Sequence, residues 1–139
     1  MIQIQEARAY EAREVIEHSA FAQVPGAEAT LKECLYRSSS RWIGLVDGEI
    51  ACMWGLVPQT LLSNQAYLWL ITTKIAAEHK FLLVRYSQLF IEKALMVYPV
   101  ITGHCEAGNY QAKRWLRWLG AEFGKSDGKR LTFKIVRKE

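Results

Sequence analysis

The chain has no hydrophobic run long enough to cross a membrane. Its longest apolar stretches, such as "AYLWLI" at 66–71, fall far short of the roughly 20 residues that a spanning helix needs. Residues 1–18 carry many charges and no apolar segment, so they predict no secretory signal. The sequence therefore predicts a cytoplasmic protein without a membrane partner.

Cysteine is scarce and irregularly placed. Cys34, Cys52 and Cys105 are odd in number, widely spaced and form no CxxC pair, which argues against a disulfide framework. Three scattered histidines add no metal-ligand spacing. We expect reduced thiols and no metal site.

The sequence also lacks repeats, low-complexity stretches and linkers. Half of its 139 residues are hydrophobic and 12% are aromatic, a composition that excludes global disorder and is sufficient for one core. These features predict one domain over residues 1–139.

Positive charge is concentrated near the C-terminus. Residues 109–139 hold nine Lys and Arg against three acids, a net of +6, whereas residues 1–108 hold nine against eleven, a net of −2. A local positive field attracts nucleic acid, a phosphate-bearing cofactor or an acidic partner. A solvated basic face without a partner is the alternative.

Hydrophobic periodicity predicts the order helix, helix, three strands, helix, strand, helix, strand, strand. Asp47-Gly48 joins the first two strands as a hairpin. The first helix is predicted over residues 7–20 and includes Ser19. A long amphipathic helix over residues 78–99 has the apolar positions Leu83, Tyr86, Phe90, Ala94 and Val97. This order indicates an α/β fold with a mixed central sheet and helices on both faces.

The stretch "GNYQAKRWLRWLGAEF" at 108–123 predicts a helix that begins after the N-cap Asn109 and ends at Gly120. Its core-facing positions are Ala112, Trp115, Leu116 and Leu119, and its basic positions are Lys113, Arg114 and Arg117. Trp118 lies off the core stripe. Because the two tryptophans and the basic residues do not form one face, we do not expect nucleic acid as a partner.

The spacing N-x-x-A-x-x-x-L-x-x-L-G from Asn109 to Gly120 resembles the C-terminal helix of the GNAT superfamily of N-acetyltransferases. The order of elements also resembles that family along nearly the whole chain. The "GN…RWLRWLGAEF" pattern is most similar to small GNAT-like proteins of tailed phages and prophages, some of which are internal virion proteins.

The resemblance implies acetyl-CoA as the cofactor. It assigns the pantetheine arm to backbone groups of Leu70, Ile71 and Thr72, and gives Asn109 a share in holding the cofactor. Where the family has a glycine-rich pyrophosphate loop, this chain has "KIAAEHKF", without glycine. Lys74, His79 and Lys80 supply charge there instead.

Acyl transfer to an amine needs a base for the ammonium and an acid for the sulfur. His104 and Glu106, two apart on a predicted strand, are the candidate bases. The family's acid, a tyrosine, is replaced by Leu116, and Tyr110 and Cys105 are the nearest alternatives. The resemblance implies an acetyl-CoA-dependent N-acyltransferase with an unidentified amine acceptor. The alternative is an inactive GNAT-fold phage protein that acts in the virion or binds phage virion proteins.

Overall fold

The computed structural model describes residues 2–60 and 62–138. The strands are β1 Ile2–Glu6, β2 Ser40–Val46, β3 Glu49–Pro58, β4 Gln65–Thr72, β5 Val100–Glu106, β6 Glu122–Ser126 and β7 Arg130–Val136. The helices are α1 Ala12–Glu17, α2 Ala27–Arg37, α3 Lys74–Glu78, α4 Lys80–Val97 and α5 Tyr110–Trp118, with a 3-10 turn at Ala9–Glu11 before α1.

The seven strands follow the order β1-β2-β3-β4-β5-β7-β6 in one sheet. Strands β4 and β5 pair in parallel through Gln65–Tyr67 and Val100–Thr102. The pairs β1–β2, β2–β3, β5–β7 and β6–β7 are antiparallel. The predicted α/β fold with a mixed sheet is confirmed.

The chain divides into two compact units. The first unit comprises the residues up to Val57 together with Trp69–Leu83, and the second comprises Pro58–Leu68 together with the residues from Val84 onward. Strand β4 contributes to both. The single domain over 1–139 stays a prediction.

In the first unit, an indole lies directly on a strand glycine. A Cβ at Gly55 would fall 2.7 Å from three atoms of the Trp69 ring, so only glycine leaves room for it. Trp69 Nε1 donates to Ser38 Oγ at 2.7 Å, and Ser38 Oγ donates to the Cys34 carbonyl at 2.7 Å. This chain of bonds ties β4 to the end of α2.

The second unit repeats the arrangement with other residues. A Cβ at Gly103 would fall 2.4 Å from Phe133 Cζ, and Phe133 is only 5% exposed. Trp115 Nε1 donates to Ser87 Oγ at 2.8 Å, and Ser87 Oγ donates to the Val84 carbonyl at 2.6 Å. These bonds fix α5 against α4.

Local sequence signals explain several boundaries. The hairpin turn has Asp47 at φ 50° and Gly48 at φ 84°, as the predicted Asp-Gly turn requires. Asn109 Oδ1 accepts from the Ala112 amide at 3.0 Å, which confirms the predicted N-cap of α5. Gly120, at φ 92°, follows the end of α5 as expected.

Four local predictions are wrong. Strand β1 was not expected, because "IQIQE" offers only two apolar residues and pairs through its backbone. Ser19 lies beyond α1, in an isolated bridge to Thr73. In α4, Tyr86 and Val97 are exposed, since Ile91 and Ala94 form the buried face.

Candidate functional site

The end of β4 carries the residues to which the resemblance assigns the pantetheine arm. Side chains alternate there: Leu70 is 43% exposed, Ile71 is buried and Thr72 is exposed. The alternation follows from the period of two in a strand. The three residues lie in the first unit, directly before the predicted phosphate-binding segment.

That segment begins with Thr73, a buried residue that caps the five-residue helix α3. Thr73 Oγ1 donates to the carbonyl of Ile50 at 2.7 Å and accepts from the Ile75 amide at 3.3 Å. The Thr73 amide donates to the Ala51 carbonyl at 2.9 Å. Thr73 therefore holds the start of α3 against β3.

The backbone amides that would face a phosphate here are bonded within the chain. The Lys74 amide donates to the His18 carbonyl at 3.2 Å, and the Ala76 amide donates to the Thr73 carbonyl at 3.1 Å. The Ile75 amide is taken by Thr73 Oγ1. Phosphate cradles work because several amides converge without internal acceptors, so the start of α3 does not fit a pyrophosphate by its backbone.

Charged side chains near the start of α3 are still available to bind a phosphate. Lys74 and Lys80 are exposed and each begins a helix, and His79 lies half-buried at the end of α3. The first turns of α3 and α4 hold no acid. Among the described residues, no ion pair uses Lys74 or Lys80. These side chains fit a phosphate by charge, although the backbone does not.

In the second unit, β5 brings Tyr67 and His104 together. Tyr67 Oη and His104 Nδ1 are 3.0 Å apart, and the ring centroids are 5.5 Å apart. His104 and Glu106 are both exposed and, being two apart on β5, project from the same face. The hydrogen bond with Tyr67 orients the imidazole through Nδ1. Nε2 does not take part in this bond.

The same face of the sheet continues onto β7. His104 pairs with Thr132 and Glu106 with Arg130 in the antiparallel register. Both β7 positions are polar, whereas the alternating positions Phe133 and Ile135 are buried. The strand pair β5–β7 therefore has one apolar, buried face and one polar, exposed face.

Two further candidate residues, Asn109 and Tyr110, lie at the start of α5, shortly after β5 in the sequence. Asn109 uses its side-chain oxygen in the cap, so only its amide nitrogen remains to donate to a ligand. Tyr110 is 77% exposed, and Lys113 Nζ lies 5.1 Å from its ring centroid. A phenol in this position reaches solvent freely.

The family's tyrosine position gives no acid in this chain. Leu116 is 2% exposed and packs as a core residue. Burial raises the pKa of the Cys105 thiol, with Lys113 acting in the opposite direction. Cys105 is therefore poorly suited to act as a thiolate nucleophile at neutral pH.

Two contacts at the candidate site were not predicted. Tyr67 lies in an apolar run, and nothing in the run shows that β4 and β5 pair so as to place it beside His104. The Lys74 amide bonds to the His18 carbonyl, which is distant in the sequence, and this bond lies beside the bridge between Ser19 and Thr73. Both contacts are set by tertiary packing.

A surface cavity of about 520 Å³ lies in the first unit, between α1 and α2. Its lining includes Arg13, Glu17, Glu28 and Lys32. Hydrogen bonds from Lys32 and then Arg13 hold the pKa of Glu28 below its usual range. The predicted site residues are not part of this lining. No cluster of three or more potential metal ligands occurs in residues 2–60 and 62–138.

Solved structures share this fold over nearly the whole chain. The ribosomal-protein-S18-alanine N-acetyltransferase of Escherichia coli is 15% identical with a TM-score of 0.73, covering 98% of this chain and 94% of that chain. A Bacillus subtilis acetyltransferase in complex with CoA is 12% identical with a TM-score of 0.71, covering 99% and 98%. A chimeric spermidine N-acetyltransferase from Vibrio cholerae is 12% identical with a TM-score of 0.70, covering 97% and 95%.

No family model matches the sequence, and no curated protein matches it either. In the described part of the chain, no helix is long and apolar enough to cross a membrane. The structural neighbours include proteins of the GNAT family. The likeness extends over nearly all of this chain, which therefore has the GNAT acetyltransferase fold.

Proposed function

We propose that this protein is an acetyl-CoA-dependent N-acyltransferase that acylates an amine. The observation that carries the proposal is the hydrogen-bonded pair Tyr67–His104, with Glu106 on the same exposed face of β5. This set stands within a fold that the neighbouring acetyltransferases share. Oriented histidine and carboxylate side chains at a solvent-facing strand end are suited to proton transfer.

The chain's residues act on the amine as follows. The substrate arrives as an ammonium ion, which the Glu106 carboxylate attracts. When Nδ1 of His104 donates to Tyr67 Oη, Nε2 has a free lone pair and accepts the ammonium proton. The neutral amine is then the nucleophile. The amine nitrogen forms a bond to the acyl carbon of the acetyl-CoA thioester, and the C–S bond breaks. Tyr110 is the exposed phenol proposed to donate a proton to the leaving CoA thiolate, and the nitrogen loses its remaining extra proton to solvent, from which Tyr110 is reprotonated.

Donor binding in this proposal relies on side chains. Lys74, His79 and Lys80 are proposed to hold the phosphates, because the α3 amides are bonded internally. Backbone groups of Leu70, Ile71 and Thr72 are proposed to receive the pantetheine arm, and the Asn109 amide nitrogen to donate to the donor. A lysine ammonium binds phosphate as a point charge and needs no close backbone approach.

A second candidate is a GNAT-fold protein without catalysis that acts as a phage virion or accessory protein. Two observations favour it: the internally bonded amides of Lys74, Ile75 and Ala76, and the buried Leu116 at the family's tyrosine position. The resemblance of "RWLRWLGAEF" to small phage and prophage proteins supports a phage origin for either candidate. Localisation in the host cytoplasm fits the first candidate, and localisation in the virion fits the second.

Calorimetric titration with acetyl-CoA separates the two candidates, with desulfo-CoA and ATP as controls. The enzyme proposal expects micromolar binding of acetyl-CoA and of desulfo-CoA, and much weaker binding of ATP. Replacing Lys74 and Lys80 by alanine should weaken donor binding several-fold. The matched variant Lys93→Ala, at an exposed position of α4, should leave it unchanged.

Turnover is tested with a panel of amines that includes spermidine and a peptide with an N-terminal alanine. His104→Gln should lower the transfer rate about a hundred-fold or more while donor affinity stays the same. Absence of acetyl-CoA binding at millimolar ligand would reject the enzyme proposal in favour of the second candidate. Donor binding with undiminished transfer by His104→Gln would keep the enzyme but reject His104 as its base.

A further inference from the structure

Helix α5 exposes a face on which two arginines lie between two aromatic rings. Tyr110 is 77% exposed and Trp118 is 54% exposed, and Arg114 and Arg117 are exposed between them. At 3.6 residues per turn, the four positions fall within an arc of about 100°. Tyr110 and Trp118 are about 12 Å apart along the helix axis, with Arg114 midway.

The rest of α5 is anchored, which fixes the direction of this face. Leu116 is 2% exposed on the opposite side, and Trp115 Nε1 is bonded to Ser87 of α4 at 2.8 Å. The Asn109 cap holds the first turn. The exposed face is therefore a preformed surface of the second unit and needs no ordering of backbone to bind a ligand.

Positive charge on this face is not neutralised by acids. Helix α5 contains Lys113, Arg114 and Arg117 and no Asp or Glu. Lys113 Nζ lies 5.1 Å from the Tyr110 ring centroid, and Arg117 Cζ lies 5.4 Å from that of Phe123. Within residues 2–60 and 62–138, none of the ion pairs involves these three cations. Their charge is free to attract a polyanion.

We propose that this face binds single-stranded nucleic acid, with unpaired bases stacked on Tyr110 and Trp118 and phosphates paired with Arg114 and Arg117. Combining cations with exposed aromatic platforms is how proteins bind single strands without sequence preference. An acidic protein would satisfy the arginines but has no flat π-surface beside each anion. A nucleotide has one, and the two arginines lie between the two rings along α5, where phosphates between stacked bases would meet them.

The structure distinguishes the two tryptophans of α5, which the sequence did not place together on the basic face. From the sequence, Trp118 was placed off the core stripe without being assigned to the basic face. In the structure, Trp118 shares an exposed face with Arg114 and Arg117. Trp115, by contrast, belongs to the packed side, where its Nε1 reaches Ser87.

The test measures anisotropy of a labelled single-stranded oligonucleotide of about 16 nucleotides, together with protein tryptophan fluorescence. Wild type should bind in about 50 mM salt, weaken steeply by about 200 mM, and show quenching of its tryptophan emission. Trp118→Leu should weaken binding about ten-fold and abolish most of the quenching. Trp118→Phe should restore part of the affinity, because it restores a ring.

Removing the two arginines of this face tests how much charge contributes to binding. Replacing Arg114 and Arg117 by alanine should weaken binding and flatten the salt dependence by about 0.7 per lost phosphate contact. Arg13→Ala, which removes an exposed arginine of the first unit, should leave binding unchanged.

Three results would overturn the proposal: no binding at low salt, tighter binding of the duplex form of the same oligonucleotide, or equal competition by polyglutamate without any tryptophan quenching. The last result would assign the face to an acidic protein partner. Tyr110 is unchanged in all of these variants, because it is also the proposed proton donor in acyl transfer.

Discussion

The two units differ in net charge. Among the described residues, the first unit has seven Lys and Arg against nine acids, a net of −2, and the second has eleven against four, a net of +7. The first unit contains the segment to which the resemblance assigns a pyrophosphate, and there the amides of Lys74–Ala76 are bonded internally. The second unit carries the polar face of β5 and β7 and the basic helix α5.

The contrast separates the net positive charge, which lies in the second unit, from the segment that the resemblance assigns to phosphate, which lies in the first. A phosphate-binding segment that relies on backbone amides needs glycines and unpaired N–H groups, and the first unit has neither at Lys74–Ala76. The second unit carries exposed cations on α5 and β7. A polyanion that has no specific site is therefore expected to prefer the second unit.

The largest expected effect comes from the glycines beneath the two aromatic rings. Gly103→Ala places a Cβ 2.4 Å from Phe133 Cζ and 3.1 Å from the Leu68 carbonyl oxygen, and Phe133 is nearly buried. We expect a loss of about 3 kcal/mol of unfolding free energy, measured by urea denaturation. Gly55→Ala, whose Cβ would fall 2.7 Å from the indole of Trp69, should cost about 2 kcal/mol.

Gly108→Ala is the control for both, since a Cβ there has no neighbour within 4 Å and the residue has no positive φ. It should be neutral or stabilising by about 0.5 kcal/mol. Equal stability of Gly103→Ala and Gly108→Ala would show that Phe133 does not lie on Gly103.

A smaller effect is expected at Thr73. Thr73→Val keeps the shape of the buried side chain but removes its bonds to the Ile50 carbonyl and the Ile75 amide. We expect a loss of about 1–2 kcal/mol, because the Ile75 amide and the Ile50 carbonyl each lose a partner. Thr102→Val, at a half-exposed position of β5 in the second unit, should change stability far less in the same urea titration.

The smallest effect is the pH dependence at Glu28. The pKa of Glu28 is lowered by its bonds to Lys32 and Arg13, so its contribution is present above the ordinary carboxyl pKa and is lost as pH falls through the folded-state pKa. Glu28→Gln should therefore be slightly less stable than wild type at pH 7, and the difference should shrink as the pH falls through the lowered pKa of Glu28. Thermal melts across this range measure the difference, with Glu92→Gln on α4 as the comparison.

A constant difference between Glu28→Gln and wild type at every pH would contradict the assignment. It would show that the substitution acts through packing or helix propensity rather than through the ion pairs with Lys32 and Arg13.

The sequence predicted what depends on local chemistry. Asp47-Gly48, the Asn109 cap and the Gly120 end each follow from the conformations that single residues favour. It did not predict β1, whose pairing depends on β2 rather than on its own composition. Nor did it predict the bond between Lys74 and His18, because that contact joins segments that are distant in the chain.

The same distinction between local features and long-range contacts holds for the candidate site. The prediction that His104 and Glu106 project from one face needed only the strand period and is confirmed by the structure. The partner Tyr67 needed the parallel register of β4 and β5, which periodicity does not provide. The roles of these residues in catalysis and cofactor binding stay predictions.

The two tryptophan–serine bonds give each unit its own spectroscopic reporter. The indole N–H of Trp69 is bonded to Ser38 in the first unit, and that of Trp115 to Ser87 in the second. Hydrogen exchange at these two protons, followed by NMR, therefore measures the opening of each unit separately. If the chain unfolds as one cooperative body, the two indole protons will exchange with the same free energy. If the units open independently, the two values will differ.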